Sequence, residues 1–258
     1  MIDDAALPVD WIVPSWPAPS RVRSLMTTRD GGLSEGAWRG ASGGGMNLGL
    51  GSGDDPDVVI ANRGLLARRL PSAPAWLQQV HGQRVVDVTM PIDVPAADAA
   101  YTALPGRVCA ILVADCMPVL FTDRLGTRVA AAHAGWRGLA GGVLENTLAA
   151  SGLVPEETLA WIGPAIGPSR FEVGDDVRDA FMATAGSGVA AVAACFRPHT
   201  AGKWLADLSA LARLRLAACG VGSIHESGLC TASDARRFYS YRRDGITGRM
   251  AALIWIDH

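Results

Sequence analysis

Among the histidines and cysteines of this 258-residue sequence, whose side chains can bind transition metals, three lie in a short polar break within an apolar segment. His81 lies in Gln-Val-His-Gly, Cys116 in Ala-Asp-Cys-Met-Pro, and His133 in Ala-Ala-His-Ala-Gly-Trp. Imidazole and thiolate groups suit zinc and copper, and three protein ligands leave a fourth coordination position for water, as in catalytic zinc sites. The residue types therefore predict a catalytic transition-metal site.

The spacing of these residues is weaker evidence than their types, because they are far apart along the chain and match no local zinc-binding pattern. Taken singly, each also reads as an ordinary buried or turn residue. A second interpretation uses the same residues without a metal: Cys116 is a nucleophile and His133 is its base, as in a cysteine hydrolase that acts on an amide.

Composition limits the classes of partner. The net charge of -2 excludes a general attraction to nucleic acid or to an anionic membrane, so we expect a small-molecule substrate, and no protein partner is inferred. The five cysteines are an odd number without C-x-x-C, and the N-terminus carries acids where an export signal would be basic. No apolar run approaches the roughly 18 residues that span a bilayer. We therefore expect a cytoplasmic protein.

The elements that must position the three residues predict an α/β fold: a single-domain layered sandwich, over residues 1–258, with mixed β-sheets flanked by helices. Apolar, β-branched runs predict buried strands at residues 108–113, 119–122, 128–132 and 250–256. Capping residues and helical periodicity predict helices at 56–70, 138–150 and 205–219. The metal-binding residues are expected at strand ends, where side chains emerge from a rigid scaffold.

Five ordered blocks resemble one family, the laccase-domain family, also called multicopper polyphenol oxidase or peptidoglycan editing factor. The resemblance runs over nearly the whole chain, from Thr28-Arg-Asp-Gly-Gly to Gly248-Arg-Met. Blocks that occur in this order are highly specific for the family. The blocks are Gln78-Gln-Val-His-Gly, Ala114-Asp-Cys-Met-Pro-Val-Leu-Phe, Ala132-His-Ala-Gly-Trp-Arg-Gly, Ile162-Gly-Pro-Ala-Ile-Gly-Pro and Tyr239-Ser-Tyr-Arg-Arg-Asp-Gly.

The resemblance implies that His81, Cys116 and His133 bind zinc. It also implies a purine nucleoside phosphorylase that cleaves adenosine, inosine and methylthioadenosine with phosphate, together with adenosine deamination. Zinc lowers the pKa of a bound water toward about 7, which serves attack on a purine ring. The peptidoglycan-editing name favours the hydrolase interpretation of Cys116 instead.

Phosphorolysis also needs an anion site, for which Arg63 and Asn47 are the candidate substrate-binding residues. Arg63 alternatively lies on a solvated helix face, and Asn47 alternatively forms a turn. Asp115 is a candidate catalytic residue that orients His81 or His133, or else it caps a strand.

The oxidase name of the family is tested by counting histidines. A four-copper oxidase needs about ten histidines as well as a cysteine, because copper prefers imidazole and thiolate ligands. This chain has five, which excludes that enzyme but leaves weak oxidation by a single copper ion as an alternative.

Overall fold

The computed structural model describes residues 10–91 and 93–258. Their strands are β1 (Val22–Met26), β2 (Asp30–Ser34), β3 (Val85–Asp87), β4 (Ala99–Thr102), β5 (Cys109–Val113), β6 (Met117–Asp123), β7 (Val129–Ala134), β8 (Thr158–Ile162), β9 (Glu172–Gly174), β10 (Phe196–Pro198), β11 (Lys203–Ala206), β12 (Ser223–Glu226) and β13 (Met250–Ile256). Their α-helices are α1 (Pro56–Ala67), α2 (Trp136–Gly141), α3 (Val143–Ser151), α4 (Asp175–Met182), α5 (Val189–Ala194), α6 (Leu208–Ala218) and α7 (Tyr241–Asp244). Among the described helices, none has the length and apolar composition that crossing a membrane requires.

Three sheets form from these strands. The largest has the order β12-β8-β6-β7-β4-β3 and is mixed, because β12–β8 and β4–β3 are parallel pairs and the others are antiparallel. A second sheet has the antiparallel order β1-β13-β5, and a small third sheet has the order β10-β11-β9.

The two main sheets pack face to face, with several helices on the outer side of the large sheet and α1 on the outer side of the second sheet. Side chains alternate across a strand, so neighbours in β7 enter different cores. Ala130 packs with the helices on one side, and Ala131 packs between the two sheets. In β13, Ile254 points into the core between the sheets and Trp255 packs with Leu66 of α1. The layers therefore run helices, sheet, sheet, helix, which confirms the predicted layered α/β sandwich.

Burial on both faces explains why the central strands were visible in the sequence. A strand covered on both sides is apolar at every position instead of every second one. The strands predicted at 108–113, 119–122, 128–132 and 250–256 are confirmed as β5, β6, β7 and β13, each to within two residues at either end.

Helix boundaries required two corrections. The single helix predicted at 138–150 is two helices, because Gly142 adopts a left-handed backbone (φ 99°) between α2 and α3. The helix predicted at 205–219 begins at Leu208, because the Asp207 side chain accepts a hydrogen bond from the Ala210 N–H and caps it there.

Candidate metal centre and substrate cavity

The three predicted ligands come from three different segments. His81 lies in the loop before β3, Cys116 in the turn between β5 and β6, and His133 near the end of β7. The alternation of β7 places His133 on the same strand face as Ala131, toward the second sheet. The predicted strand-end location therefore holds for Cys116 and His133, whereas His81 lies in a loop outside the strands.

The structure brings these three side chains together. One ligand atom from each lies within 4.8 Å of the others, and Cys116 Sγ is 3.7 Å from His81 Nε2. The two imidazole rings meet edge to face, with centroids 4.9 Å apart and planes at 74°. Such a donor set fits zinc or copper, which take nitrogen and sulfur ligands.

Asp98, immediately before β4, fixes both histidines. Its buried carboxylate bonds the Nδ1 of His133 at 2.8 Å, which leaves Nε2 as the ring nitrogen available to a metal. The same carboxylate accepts the backbone N–H groups of Val80, His81 and Gly82 at 3.2, 2.9 and 2.7 Å. These bonds hold His81 in a left-handed conformation (φ 60°) that is unfavourable for a residue with a Cβ.

Gly135 leaves room between the ligands. A Cβ atom at this position would lie 3.0 Å from Cys116 Sγ and 3.0 Å from His81 Cδ2. The backbone at Gly135 is ordinary (φ -64°), so the glycine is needed for space and not for its conformational freedom. The resulting cradle supports the assignment of a metal site.

Charge interactions activate the thiol. Burial alone would raise the pKa of Cys116, but the neighbouring His133 and His81 stabilise the thiolate and lower this pKa to about 6. Burial alone would lower the pKa of His133, but the Cys116 thiolate and the Asp98 carboxylate raise it to about 9. Without a metal ion, Cys116 and His133 therefore form a thiolate–imidazolium pair near neutral pH.

Asp115 does not orient either histidine, which corrects the sequence prediction. Its carboxylate accepts hydrogen bonds from Thr231 Oγ1 (2.6 Å), Ser240 Oγ (3.0 Å) and the Arg242 backbone N–H (2.7 Å). These contacts fasten the Cys116 turn to α7. Asp115 therefore supports the turn, and the carboxylate that orients a histidine is Asp98.

A cavity of about 670 Å³ opens beside the three ligands, a size typical of small-molecule sites. Arg63 of α1, the candidate anion-binding residue, lines it, with its guanidinium 4.2 Å from the ring centroid of Trp76. Tyr241 adds a second aromatic wall, and Arg249 adds a second cation.

Asn47 does not line this cavity, although the sequence suggested it as a substrate ligand. It is fully buried, and its amide nitrogen donates to Ser52 Oγ (2.7 Å) and Asp54 Oδ2 (2.9 Å). Its amide oxygen accepts the backbone N–H groups of Gly49 and Arg249. The turn-forming alternative for Asn47 is therefore the correct one.

Sequence reasoning missed Asp98 and Arg249. Asp98 is a lone carboxylate within the run Ala96-Ala-Asp-Ala-Ala, and an isolated charge in such a segment is itself an indication of a buried partner. Arg249 directly precedes the predicted strand β13, where a cation at the start of a buried strand gives a similar indication.

The other histidines lie elsewhere. His199 contacts Glu172 at 3.4 Å, His225 contacts Ser223 at 3.1 Å, and His258 packs against Gly106. In the described part of the chain, only one group of histidine, cysteine and acidic residues has metal-binding geometry. Two imidazoles cannot supply a four-copper centre, which agrees with the histidine count.

Comparisons with known proteins identify the family of this chain. Residues 23–257 match the model of the family described as multi-copper polyphenol oxidoreductase laccase. Purine nucleoside phosphorylase PA4543 of Pseudomonas aeruginosa is 51% identical over 96% of this chain and 98% of its own length. Purine nucleoside phosphorylase YfiH of Escherichia coli is 50% identical over 95% of this chain and 98% of its own.

Solved structures show the same fold. Neisseria meningitidis protein NMB0706 superposes with a TM-score of 0.89 at 47% identity, covering 96% of this chain and 100% of that one. YlmD from Geobacillus stearothermophilus superposes with a TM-score of 0.83 at 33% identity, covering 93% of each chain. The chain therefore belongs to the multi-copper polyphenol oxidoreductase laccase family.

Proposed function

We propose that this chain is a zinc-dependent purine nucleoside phosphorylase, with His81, Cys116 and His133 as the metal ligands. The observation that carries the proposal is the position of these three donors in the wall of a cavity that Arg63 also lines. The names of the relatives that are about half identical to this chain support the reaction and the purine substrate class.

The reaction transfers a ribosyl group to phosphate. An oxygen of hydrogen phosphate forms a bond to C1′ of the ribose while the bond from C1′ to the purine nitrogen breaks. The purine leaves with the electron pair of that bond and takes up the proton that hydrogen phosphate releases. The products are ribose 1-phosphate and the free base.

Residues of the cavity match the needs of this reaction. Arg63 binds the attacking anion, since its charge and planar donors suit phosphate. The aromatic side chains of Trp76 and Tyr241 offer apolar surface to the purine. A bound zinc ion supplies Lewis acidity, which also suits adenosine deamination in the same cavity. We propose adenosine, inosine and methylthioadenosine as substrates.

The test is incubation of purified protein with adenosine and phosphate, with and without a chelator. Ribose 1-phosphate and adenine that disappear with chelation are the expected products, and readdition of zinc should restore them. Inosine as the sole product would show that the protein deaminates adenosine and does not phosphorolyse it. Recovery with copper and not with zinc would overturn the choice of metal.

A second candidate is an amide hydrolase that edits peptidoglycan precursors, and one observation favours it. Cys116 forms a thiolate beside His133, whose other ring nitrogen bonds Asp98, which is the arrangement of a cysteine nucleophile with an oriented base. Against this candidate, His81 Nε2 also faces the sulfur, and a nucleophile needs only one base.

Metal dependence separates the two candidates. A thiol nucleophile keeps its activity in a chelator and loses it to iodoacetamide, whereas the zinc enzyme loses activity on chelation. Hydrolysis of a muropeptide amide by chelated protein, without phosphorolysis by the zinc-loaded protein, would establish the hydrolase instead.

A further inference from the structure

We propose that Arg249 forms, together with Arg63, the subsite that binds the phosphate substrate, and that the Asn47–Leu48 dipeptide holds the two arginines in position. The inference rests on the proposed phosphorolysis and adds residues to it. The guanidinium groups of Arg63 and Arg249 line one cavity beside the candidate metal ligands.

In each arginine, only one of the three guanidinium nitrogens donates hydrogen bonds to backbone carbonyls of the described residues. Arg63 Nε donates to Leu48 O at 2.9 Å, and Arg249 Nη1 donates to Thr247 O at 2.9 Å and Gly248 O at 3.0 Å. Within residues 10–91 and 93–258, both terminal nitrogens of Arg63 and the Nε and Nη2 of Arg249 have no hydrogen-bond partner. These donors are therefore available to a ligand.

The charges of the two arginines are not balanced by direct ion pairs. No ion pair among the described residues includes Arg63 or Arg249. Burial lowers the pKa of Arg63 to about 10 and also lowers the pKa of Arg249, which shows that both cations lose solvation. Partly buried cations are stabilised by an anion, and a phosphate accepts from two planar guanidinium groups at once.

The loop segment of Asn47 and Leu48 contacts both arginines. The Asn47 side-chain oxygen accepts the Arg249 backbone N–H at 2.8 Å, and the Leu48 N–H donates to Arg249 O at 3.0 Å. The Leu48 carbonyl meanwhile holds Arg63. Gly49 permits this approach, since a Cβ there would lie 2.5 Å from Arg249 Cγ. One dipeptide thus bonds both the Arg63 side chain and the Arg249 backbone.

The subsite is adjacent to the candidate metal centre. Arg249 lines the same cavity as the candidate metal ligands His81, Cys116 and His133. An anion held by Arg249 would therefore lie beside the reacting part of the substrate, which favours the attacking phosphate over a remote charged group.

Kinetics of zinc-loaded Arg249→Gln and Arg249→Lys test the role of Arg249. Loss of a charged hydrogen bond should raise the KM for phosphate by about ten- to a hundredfold. The KM for the nucleoside should change less than about twofold, since the two ligands occupy different parts of the cavity. Lysine should give an intermediate KM for phosphate, because it keeps the charge but loses the planar donors.

The matched control is Arg68→Gln, which removes an exposed arginine five positions beyond Arg63 and should leave both KM values unchanged. Asn47→Ala tests the positioning role and should raise the KM for phosphate while leaving the zinc content unchanged. An unchanged phosphate KM in both Arg249 variants would overturn the inference. Circular dichroism verifies folding, and the lysine variant decides the matter if the glutamine variant does not fold.

Calorimetric titration with inorganic phosphate, without nucleoside, separates this inference from the proposed function. One outcome is that the wild type binds phosphate, Arg249→Gln does not, and the wild type cleaves no nucleoside. This outcome would support the phosphate subsite and contradict the phosphorylase activity. If the wild type cleaves nucleosides and both Arg249 variants keep the wild-type phosphate KM and affinity, the phosphorylase stands and the subsite does not.

Discussion

The Asp98 carboxylate connects the two histidines that the sequence places far apart. One oxygen serves both the His133 ring and the His81 backbone N–H, and the other serves Val80 and Gly82. Hydrogen bonds to the ionised form keep the pKa of Asp98 below its usual value despite the burial. The negative charge at this position is therefore part of the metal site, although Asp98 itself is not among the ligands.

Asp98→Asn should weaken zinc binding by about ten- to a hundredfold, as is usual for loss of the group that orients a metal-binding histidine. The amide keeps the size of the side chain but replaces one acceptor with a donor that faces backbone N–H groups. Competition with a chromogenic chelator measures the affinity. Asp87→Asn, at an exposed position in β3, is the control, and equal zinc affinity in the two variants would contradict the role of Asp98.

Gly135→Ala should lower the zinc content of the purified protein, because the new methyl group would lie against Cys116 and His81. The backbone conformation accepts alanine, so the fold should be retained. Gly43→Ala is the matched control, since a Cβ at Gly43 meets nothing within 4 Å. Elemental analysis measures the number of zinc ions per chain. A zinc content of Gly135→Ala equal to that of the wild type would contradict the need for space at Gly135.

Zinc affinity should depend on pH through the pair of Cys116 and His133. Below the pKa of about 9, His133 holds a proton that zinc must displace, and below the pKa of about 6 Cys116 holds a second. The affinity should therefore fall about tenfold per pH unit from 9 to 6, and more steeply below 6. Calorimetry at pH 7.5 in buffers of different ionisation enthalpy should show release of about one proton. Zinc binding without proton release would exclude the imidazolium.

Among the elements, strands with a clear apolar, β-branched run could be predicted, whereas other strands could not. The strand predicted at residues 250–256 coincides with β13, because a long apolar run has few other interpretations. β4 (Ala99–Thr102) was missed because its alanines carry little strand preference, and its place between β3 and β7 depends on tertiary pairing. The unpredicted β4 directly follows Asp98 and fixes the position of that residue in the sheet.

Two glycines in helical segments should respond oppositely to alanine. Gly142→Ala should lower the free energy of unfolding by about 1–2 kcal/mol, because alanine is strained in the left-handed turn between α2 and α3. Gly64→Ala should raise it by roughly 0.5–1 kcal/mol, because Gly64 lies inside α1 with open space around it. Urea denaturation measures both, and a change of the same sign in both variants would contradict the different backbone roles of the two glycines.

At the scale of the whole molecule, three apolar cores hold the layers together independently of the metal ligands. Cys116→Ala should therefore abolish zinc binding and phosphorolysis while far-UV circular dichroism at 25 °C stays unchanged. The melting temperature should fall only by the contribution that ligand binding makes to the native state. Unfolding of the variant at 25 °C would show that the ion is structural, as in small zinc domains.

The layered fold was accessible from the sequence because apolar runs are a local property, and the candidate ligands and Arg63 were accessible from residue chemistry together with the family resemblance. The subsite around Arg249 was not. It depends on Asn47 and Leu48, which meet Arg249 across about two hundred positions of chain through backbone hydrogen bonds. Backbone groups are the same in every residue, so their pairing leaves no trace in side-chain composition.

The position of β13 between β1 and β5 has a consequence for biosynthesis. Among the described strands, β1 pairs only with β13, and Thr27 bonds Ala251 across 224 positions of sequence. As the ribosome produces the chain, β1 emerges early and waits without its partner strand until β13 is translated. That delay creates a period of vulnerability to aggregation in the nascent polypeptide, during which a chaperone that shields extended apolar segments would increase the yield.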